Sequence, residues 1–232
     1  MFNAFFQNAR KPRGAAGRLF IAMMNWGHTP VSKWGLKKLA IKPGDHILDI
    51  GCGGGKNVAR MLKLAGEGKV FGLDYSEVCV EKTSRMNRRA IDEGRAEIRL
   101  GSVSENPWPG NSFDVVTAFE TVYFWPDFAN DLREVWRVLK PGGVFFICNE
   151  MNVPEQGEAP YQFWVKTLDL KTYTQADFQK HLAEAGFTDI QFVSRGKSAL
   201  CVSAKKQREG DVQHKEQYRP HRNLTQKEDD HV

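Results

Sequence analysis

The sequence predicts an α/β fold built on a doubly wound, seven-stranded sheet, mostly parallel, with an antiparallel hairpin at its C-terminal end. Two observations predict it. Short apolar runs alternate with segments of helical periodicity between His46 and Asn149. That alternation at that spacing makes right-handed strand–helix–strand units. Near the C-terminus, two more strand-like runs flank a four-residue turn.

The elements follow in order. The first 45 residues are helical in pattern, with Thr29-Pro30 as a cap and first turn and with Trp26, Trp34, Leu36 and Leu39 as apolar contacts. This segment either caps a sheet edge or lids a site over the strand C-termini. Strand-like runs follow at His46–Ile50, Val70–Leu73, Ala96–Leu100, Phe113–Ala118 and Gly143–Asn149. Between the first two runs, Val58, Met61, Leu62 and Ala65 share one helical face. Cys79, Thr83, Met86 and Ala90 do so before the third, and Phe128, Leu132, Val135 and Leu139 before the fifth. The connection after Leu100 is short and loop-like, carrying Pro107, Pro109 and Gly110. Leu139-Lys-Pro-Gly-Gly143 reads as a helix stop and a turn into the fifth strand. The rhythm then breaks. Residues 151–172 form an insertion near the substrate site, in which Tyr161, Phe163 and Trp164 wall off a modest cavity. Thr174 caps a further helix, with Asp177 at its third position, that ends at Gly186. Asp189–Ser194 and Ala199–Ala204 form the hairpin, and residues 205–232 are expected as a disordered polar tail.

Composition narrows the function classes. At 232 residues, 41% hydrophobic and without eighteen consecutive apolar residues, the chain is a globular domain with no membrane-spanning helix. Cys52, Cys79, Cys148 and Cys201 are scattered and include no Cys-x-x-Cys pair. A disulfide framework or zinc ribbon is therefore not expected, and a reducing cytoplasm is the expected location. The net charge of +5 is local: residues 1–45 hold eight Lys/Arg against a single acid, Asp45. Such a segment suits a solvated face, an acidic substrate or an anionic surface. No oligomeric state is legible.

The chemistry lies in Asp49-Ile-Gly51-Cys52-Gly53-Gly-Gly55-Lys56, which follows a strand and opens a helix. Glycines let a ligand approach the backbone, and a helix N-terminus presents unpaired N–H groups. Asp74 ends the next strand, where an acid can accept both ribose hydroxyls of a nucleoside. A dinucleotide fingerprint is damaged, because Lys56 stands where its third glycine belongs. A phosphate-binding loop is damaged too: three residues separate Gly51 from Gly55, and Asn57 follows Lys56.

The remaining pattern resembles the class I S-adenosylmethionine-dependent methyltransferases. Asp49–Gly55 resembles their first motif, Asp74 their ribose-binding acid, Phe113-Asp-Val-Val116 their fourth-strand motif and Leu139–Gly143 the turn before their fifth strand. The resemblance implies a Rossmann-like fold and S-adenosyl-L-methionine as cofactor. It places Gly51, Cys52 and Gly53 along the methionine and ribose, Asp49 at the methionine amino end and Asp74 on the ribose. It places Tyr75 on the adenine, with Ser102 and Val103 at its amino group; Ser102 stands where the family usually has an acid. Phe119 and Glu120 face the methionine.

Methyl transfer from a sulfonium is an in-line displacement that needs a base only when the acceptor must lose a proton. The catalytic candidates are Glu120, Tyr123 and His28, with Tyr123, Phe124 and Trp125 as a possible aromatic wall and Glu150 as a weaker candidate. Asp127 is expected in the first turn of the next helix. The six histidines are not paired at ligand spacing, so no metal site is expected. Glu120-Thr-Val-Tyr123 replaces the Asn/Asp-Pro-Pro-Tyr common in nucleic-acid amino methylators. The acceptor is therefore expected to be a small molecule. An RNA methyltransferase docking through the basic N-terminus is the alternative, followed by a non-catalytic binder of the cofactor and, remotely, a dehydrogenase.

Overall fold

The computed structural model describes residues 27–154 and 161–208. Trp26, the rest of the basic N-terminal segment and residues 209–232 of the expected tail lie outside them.

The seven strands are β1 (His46–Ile50), β2 (Lys69–Asp74), β3 (Ala96–Leu100), β4 (Phe113–Phe119), β5 (Leu139–Asn149), β6 (Phe187–Arg195) and β7 (Ala199–Lys206). They lie in the order β3-β2-β1-β4-β5-β7-β6. β1 to β5 pair in parallel, and β7 runs antiparallel to both β5 and β6. The helices are α1 (Thr29–Leu36), α2 (Lys56–Leu64), α3 (Glu77–Met86), α4 (Arg88–Asp92), α5 (Phe128–Val138), α6 (Gln162–Leu168) and α7 (Gln175–Glu184). This is the expected sheet with its C-terminal hairpin. Strand order reverses between β1 and β4, and a crevice opens at the C-terminal ends of strands beside such a reversal.

The core follows the apolar periodicity. Val58, Met61 and Leu62 of α2 are buried against one face of the sheet with Ile47 and Val70. Leu132, Val135 and Val138 of α5 are buried against the other with Leu48, Val116 and Phe145. Phe71, Trp108 and Phe113 meet edge to face at 5.2–5.8 Å, so the short loop after β3 is pinned by its tryptophan. Thr174 and Asp177 form the full capping box at the start of α7.

Four expectations are corrected. The helical face through Ala90 is two helices, because Asn87 leaves the helix and turns its amide toward the Gly55 and Thr83 carbonyls; Met86 is left exposed. Leu139 begins β5 and pairs with Phe113, and Pro141-Gly142 form an irregularity inside the strand, with Gly142 at φ +80°. Thr29 is the first helical residue and His28 occupies the cap. β7 extends through Lys206, so residues 205 and 206 belong to the sheet. The Lys206 ammonium is buried and donates to Asn111 Oδ1 and to the Trp136 and Leu139 carbonyls at 2.8–2.9 Å. It thus caps the C-terminus of α5.

α1 lies across the C-terminal ends of β4 and β5. A Cβ on Gly35 would fall 2.6 Å from the Cys148 sulfur and 3.0 Å from the Phe119 ring, so only glycine permits this approach. Within the described residues, the N-terminal segment thus packs against the sheet at this end.

Candidate active site

A crevice of about 360 Å³ opens at the strand reversal. Its floor is the loop after β1. Gly51 adopts φ +71°, and a Cβ there would fall 2.5 Å from the Thr121 hydroxyl. The Gly51 and Cys52 amides donate to the Leu73 carbonyl at 2.7 and 3.1 Å, tying the loop to β2. Thr83 donates its hydroxyl to the Gly53 carbonyl at 2.8 Å, and Asn87 donates to the Gly55 carbonyl at 3.2 Å. Thr83 of α3 and Asn87, the residue that caps it, thus hold a loop about 30 residues earlier in the chain; the sequence offered no local signal for either.

Asp74 ends β2 at one side of the crevice. Its carboxylate accepts from the Gly53 and Ser76 amides, each at 2.9 Å. Burial pushes this carboxyl above its ordinary pKa, while the Ser76 and Gly53 amides pull it down. Tyr75, Ser102 and Val103 line the same end. Ser102 Oγ accepts from the Ser104 amide at 3.2 Å, so this hydroxyl first serves as the cap of the turn at Val103–Glu105.

Asp49 does not line the crevice. It is buried within the sheet, where the Thr117 hydroxyl donates to its Oδ1 at 2.8 Å. Burial raises its pKa to about 7. The residue points inward because its neighbours in register are Gly72 and Thr117, which leave room for a carboxyl inside the sheet.

The opposite end of the crevice is lined by Phe119, Glu120, Phe124 and Trp125 from β4 and the turn after it, and by His28 and Ser32 at the start of α1. Glu120 adopts φ +58°, and its side chain reaches His28 at the cap of α1. Its Oε1 accepts from the Glu150 amide at 2.6 Å, and its Oε2 lies 3.3 Å from the Tyr123 hydroxyl. Burial first, then the Glu150 carboxylate, raise its pKa to about 7, against the pull of His28. His28 Nδ1 lies 3.4 Å from Glu150 and 3.6 Å from Glu120. Burial alone would lower the imidazole, but the two carboxylates outweigh it and hold its pKa above the ordinary value.

Tyr123 is 1% exposed and packs with Leu168 and Leu170, outside the crevice. Its hydroxyl accepts from the Met151 amide at 2.9 Å, so it positions Glu120 from behind and does not face a ligand. Tyr161, Phe163 and Trp164 are exposed and do not line the crevice either. Among the described residues of the insertion, Val165, Leu168 and Leu170 instead pack with Tyr123 and Phe124 in the turn after β4, and Lys171 donates to the Pro126 carbonyl at 2.8 Å. Asp127 caps α5 by accepting from the Asn130 amide. Lys56, Asn57 and Arg60 of α2 line the crevice and were missed in the sequence. Arg60 reaches Asn57 at 2.7 Å and Thr29 at 3.5 Å, linking α2 to α1.

A carboxylate fixed at the end of β2, a glycine floor and an aromatic residue at the edge match the parts of S-adenosylmethionine: sugar diol, methionine chain and base. The cavity falls within the usual range for small-ligand sites, about 300–1,000 Å³. The residues present therefore fit the cofactor that the sequence motifs imply.

Comparison with known proteins agrees. Residues 48–147 match the family described as methyltransferase domain. The demethylmenaquinone methyltransferase of Symbiobacterium thermophilum is 30% identical over 201 residues, covering 73% of this chain and 79% of that protein. The 27-O-demethylrifamycin SV methyltransferase of Amycolatopsis mediterranei is 33% identical over 152 residues, or 64% of this chain; the match spans just over half, 56%, of that protein. A SAM-dependent methyltransferase structure from Aquifex aeolicus superposes with a TM-score of 0.67 over 82% of this chain and 98% of that one, at 22% identity. The crevice geometry, the ordered motifs and these relatives together place the chain in the family of S-adenosylmethionine-dependent methyltransferases.

Proposed function

We propose that this enzyme methylates a small-molecule acceptor held beneath the lid, between α1 and the C-terminal ends of β4 and β5. The observation that carries this reading is that His28, Glu120, Phe124 and Trp125 line one end of the crevice, a wall suited to enclosing a compact acceptor rather than an open macromolecular surface. The small-molecule methyltransferases among its relatives support the same class.

Asp74 takes the ribose hydroxyls, Tyr75 covers the adenine, and Ser102 and Val103 border its amino edge. Gly51, Cys52 and Gly53 form the floor under the ribose and methionine. Phe119 and Glu120 close the methionine end. Arg60 and Lys56 are the cations on this wall, suited to a carboxylate. Asp49 supports the loop from inside the sheet. When bound, S-adenosylmethionine supplies an electrophilic methyl carbon on a sulfonium. The protein aligns and dehydrates the reactants. Trp125 and Phe124 offer apolar faces that favour a cationic centre over water.

The test is transfer of tritiated methyl from the cofactor to fractionated cell extract. Label in the small-molecule fraction is expected. Label confined to RNA, with an activity that falls steeply with salt, would overturn the acceptor class. So would tight cofactor binding with no transfer to any fraction.

A further inference from the structure

His28, Glu120 and Glu150 come from three separate parts of the chain and converge at the acceptor end of the crevice. One ligating atom from each lies within 4.8 Å of the others. We propose that they form a binding site for a first-row divalent cation of the zinc type, with one coordination position left open toward the acceptor.

The donor set is one imidazole nitrogen and two carboxylate oxygens, which suits such ions. The spacing agrees. With metal–ligand bonds of about 2.1 Å, a tetrahedral site separates its ligands by about 3.4 Å. The imidazole Nδ1 lies 3.4 Å and 3.6 Å from the two carboxylate oxygens. Nδ1 is buried, and its polar contacts among the described residues are these two carboxylates. Neither carboxylate has a lysine or arginine ion-pair partner among the described residues. Glu120 is oriented as metal-ligating carboxylates are, by outer hydrogen bonds from the Glu150 amide and the Tyr123 hydroxyl. The left-handed backbone at Glu120, a costly conformation for that residue, keeps its carboxylate turned to the cluster.

An ion here would favour an acceptor presenting a hydroxyl or enol oxygen, held at the open position and made more acidic by the charge. That choice of acceptor rests on the methyltransferase reading; the ion site itself does not.

The test titrates the full chain with Zn2+ by calorimetry in two buffers of different ionisation enthalpy, and with Co2+ by visible absorption. One ion per chain is expected, with proton release, because His28 must be neutral to ligate. His28→Ala and Glu150→Gln should each bind at least about tenfold more weakly, and Tyr123→Phe about tenfold more weakly through the lost outer bond. S-adenosylhomocysteine binding, measured on the same samples, should persist and shows that the crevice is intact. The proposal is overturned by no saturable binding at millimolar Zn2+, or by His28→Ala and Glu150→Gln variants that bind like wild type. Failure of the wild-type chain to bind S-adenosylhomocysteine would instead refute the cofactor reading and leave the ion titration readable.

Discussion

Replacing Asp74 tests the cofactor assignment most directly. Its carboxylate is 6% exposed and already accepts from the Gly53 and Ser76 amides, each at 2.9 Å. A carboxylate has about four acceptor positions, and the Cys79 thiol and the Tyr75 amide also bond to this one, so a sugar diol binds by sharing or displacing these further partners. Each hydrogen bond to a charged group contributes about 1.5–3 kcal/mol, so Asp74→Ala should lose at least ~3 kcal/mol of binding. That is a rise of about a hundredfold or more in Kd. Asp74→Asn separates charge from shape. The amide fills the same space but offers one acceptor oxygen to two amide donors, so one donor is left facing an NH2 group. An intermediate loss of binding and a small loss of stability are expected. The assay is calorimetric titration with S-adenosylhomocysteine, with thermal unfolding of each variant alongside. A folded Asp74→Ala protein whose Kd stays within about threefold of wild type would refute the reasoning.

Three further outcomes follow from the structure. Gly51→Ala places a methyl 2.5 Å from the Thr121 hydroxyl at φ +71°, so the melting temperature and cofactor affinity should both fall; Thr121→Gly in the same chain should relieve the clash but not the backbone penalty of about 1–2 kcal/mol. Lys206→Met removes the three hydrogen bonds that cap α5 and should cost on the order of 3 kcal/mol in denaturant unfolding, whereas an unchanged midpoint would mean that the ammonium contributes nothing net. Asp49 has a folded pKa of about 7 against an ordinary 3.8, so the native state holds this proton more tightly than the unfolded chain. Stability from this group is present below about pH 4 and is lost as pH rises toward 7, by at most ~4 kcal/mol. Asp49→Asn should therefore flatten the urea stability profile over that range and be the more stable protein at pH 8; superimposable profiles would show that the carboxyl stays solvated.

The site was legible in part. That Gly51, Gly53, Asp74 and Tyr75 come together in one crevice could be read because their placement depends on the backbone: a sharp turn after one strand and an acid at the end of the next. Asp49 and Tyr123 were misplaced because a chemically active side chain looks the same in sequence whether it faces a ligand or the interior. Thr117 draws the first inward, and Leu168 and Leu170 enclose the second. Arg60, Thr83 and Asn87 were missed because their partners lie on other elements, and no short-range pattern reports such a partner. Among the described residues no helix is long and apolar enough to cross a membrane, which agrees with the hydropathy pattern.

By itself the chain's order of residues determined the alternation of strands and helices, the reversed hairpin and the glycine floor. Each of these rests on local forces: burial of every second or every third-to-fourth side chain, and backbone angles that glycine alone adopts without cost. Only the tertiary structure decided that His28 meets Glu120 and Glu150, that Gly35 lets a helix settle onto Cys148, and that Lys206 ends inside the sheet. Those contacts join residues far apart along the chain. Their geometry is set by how the packed layers dock, a balance of burial and close approach that no window of neighbouring residues contains.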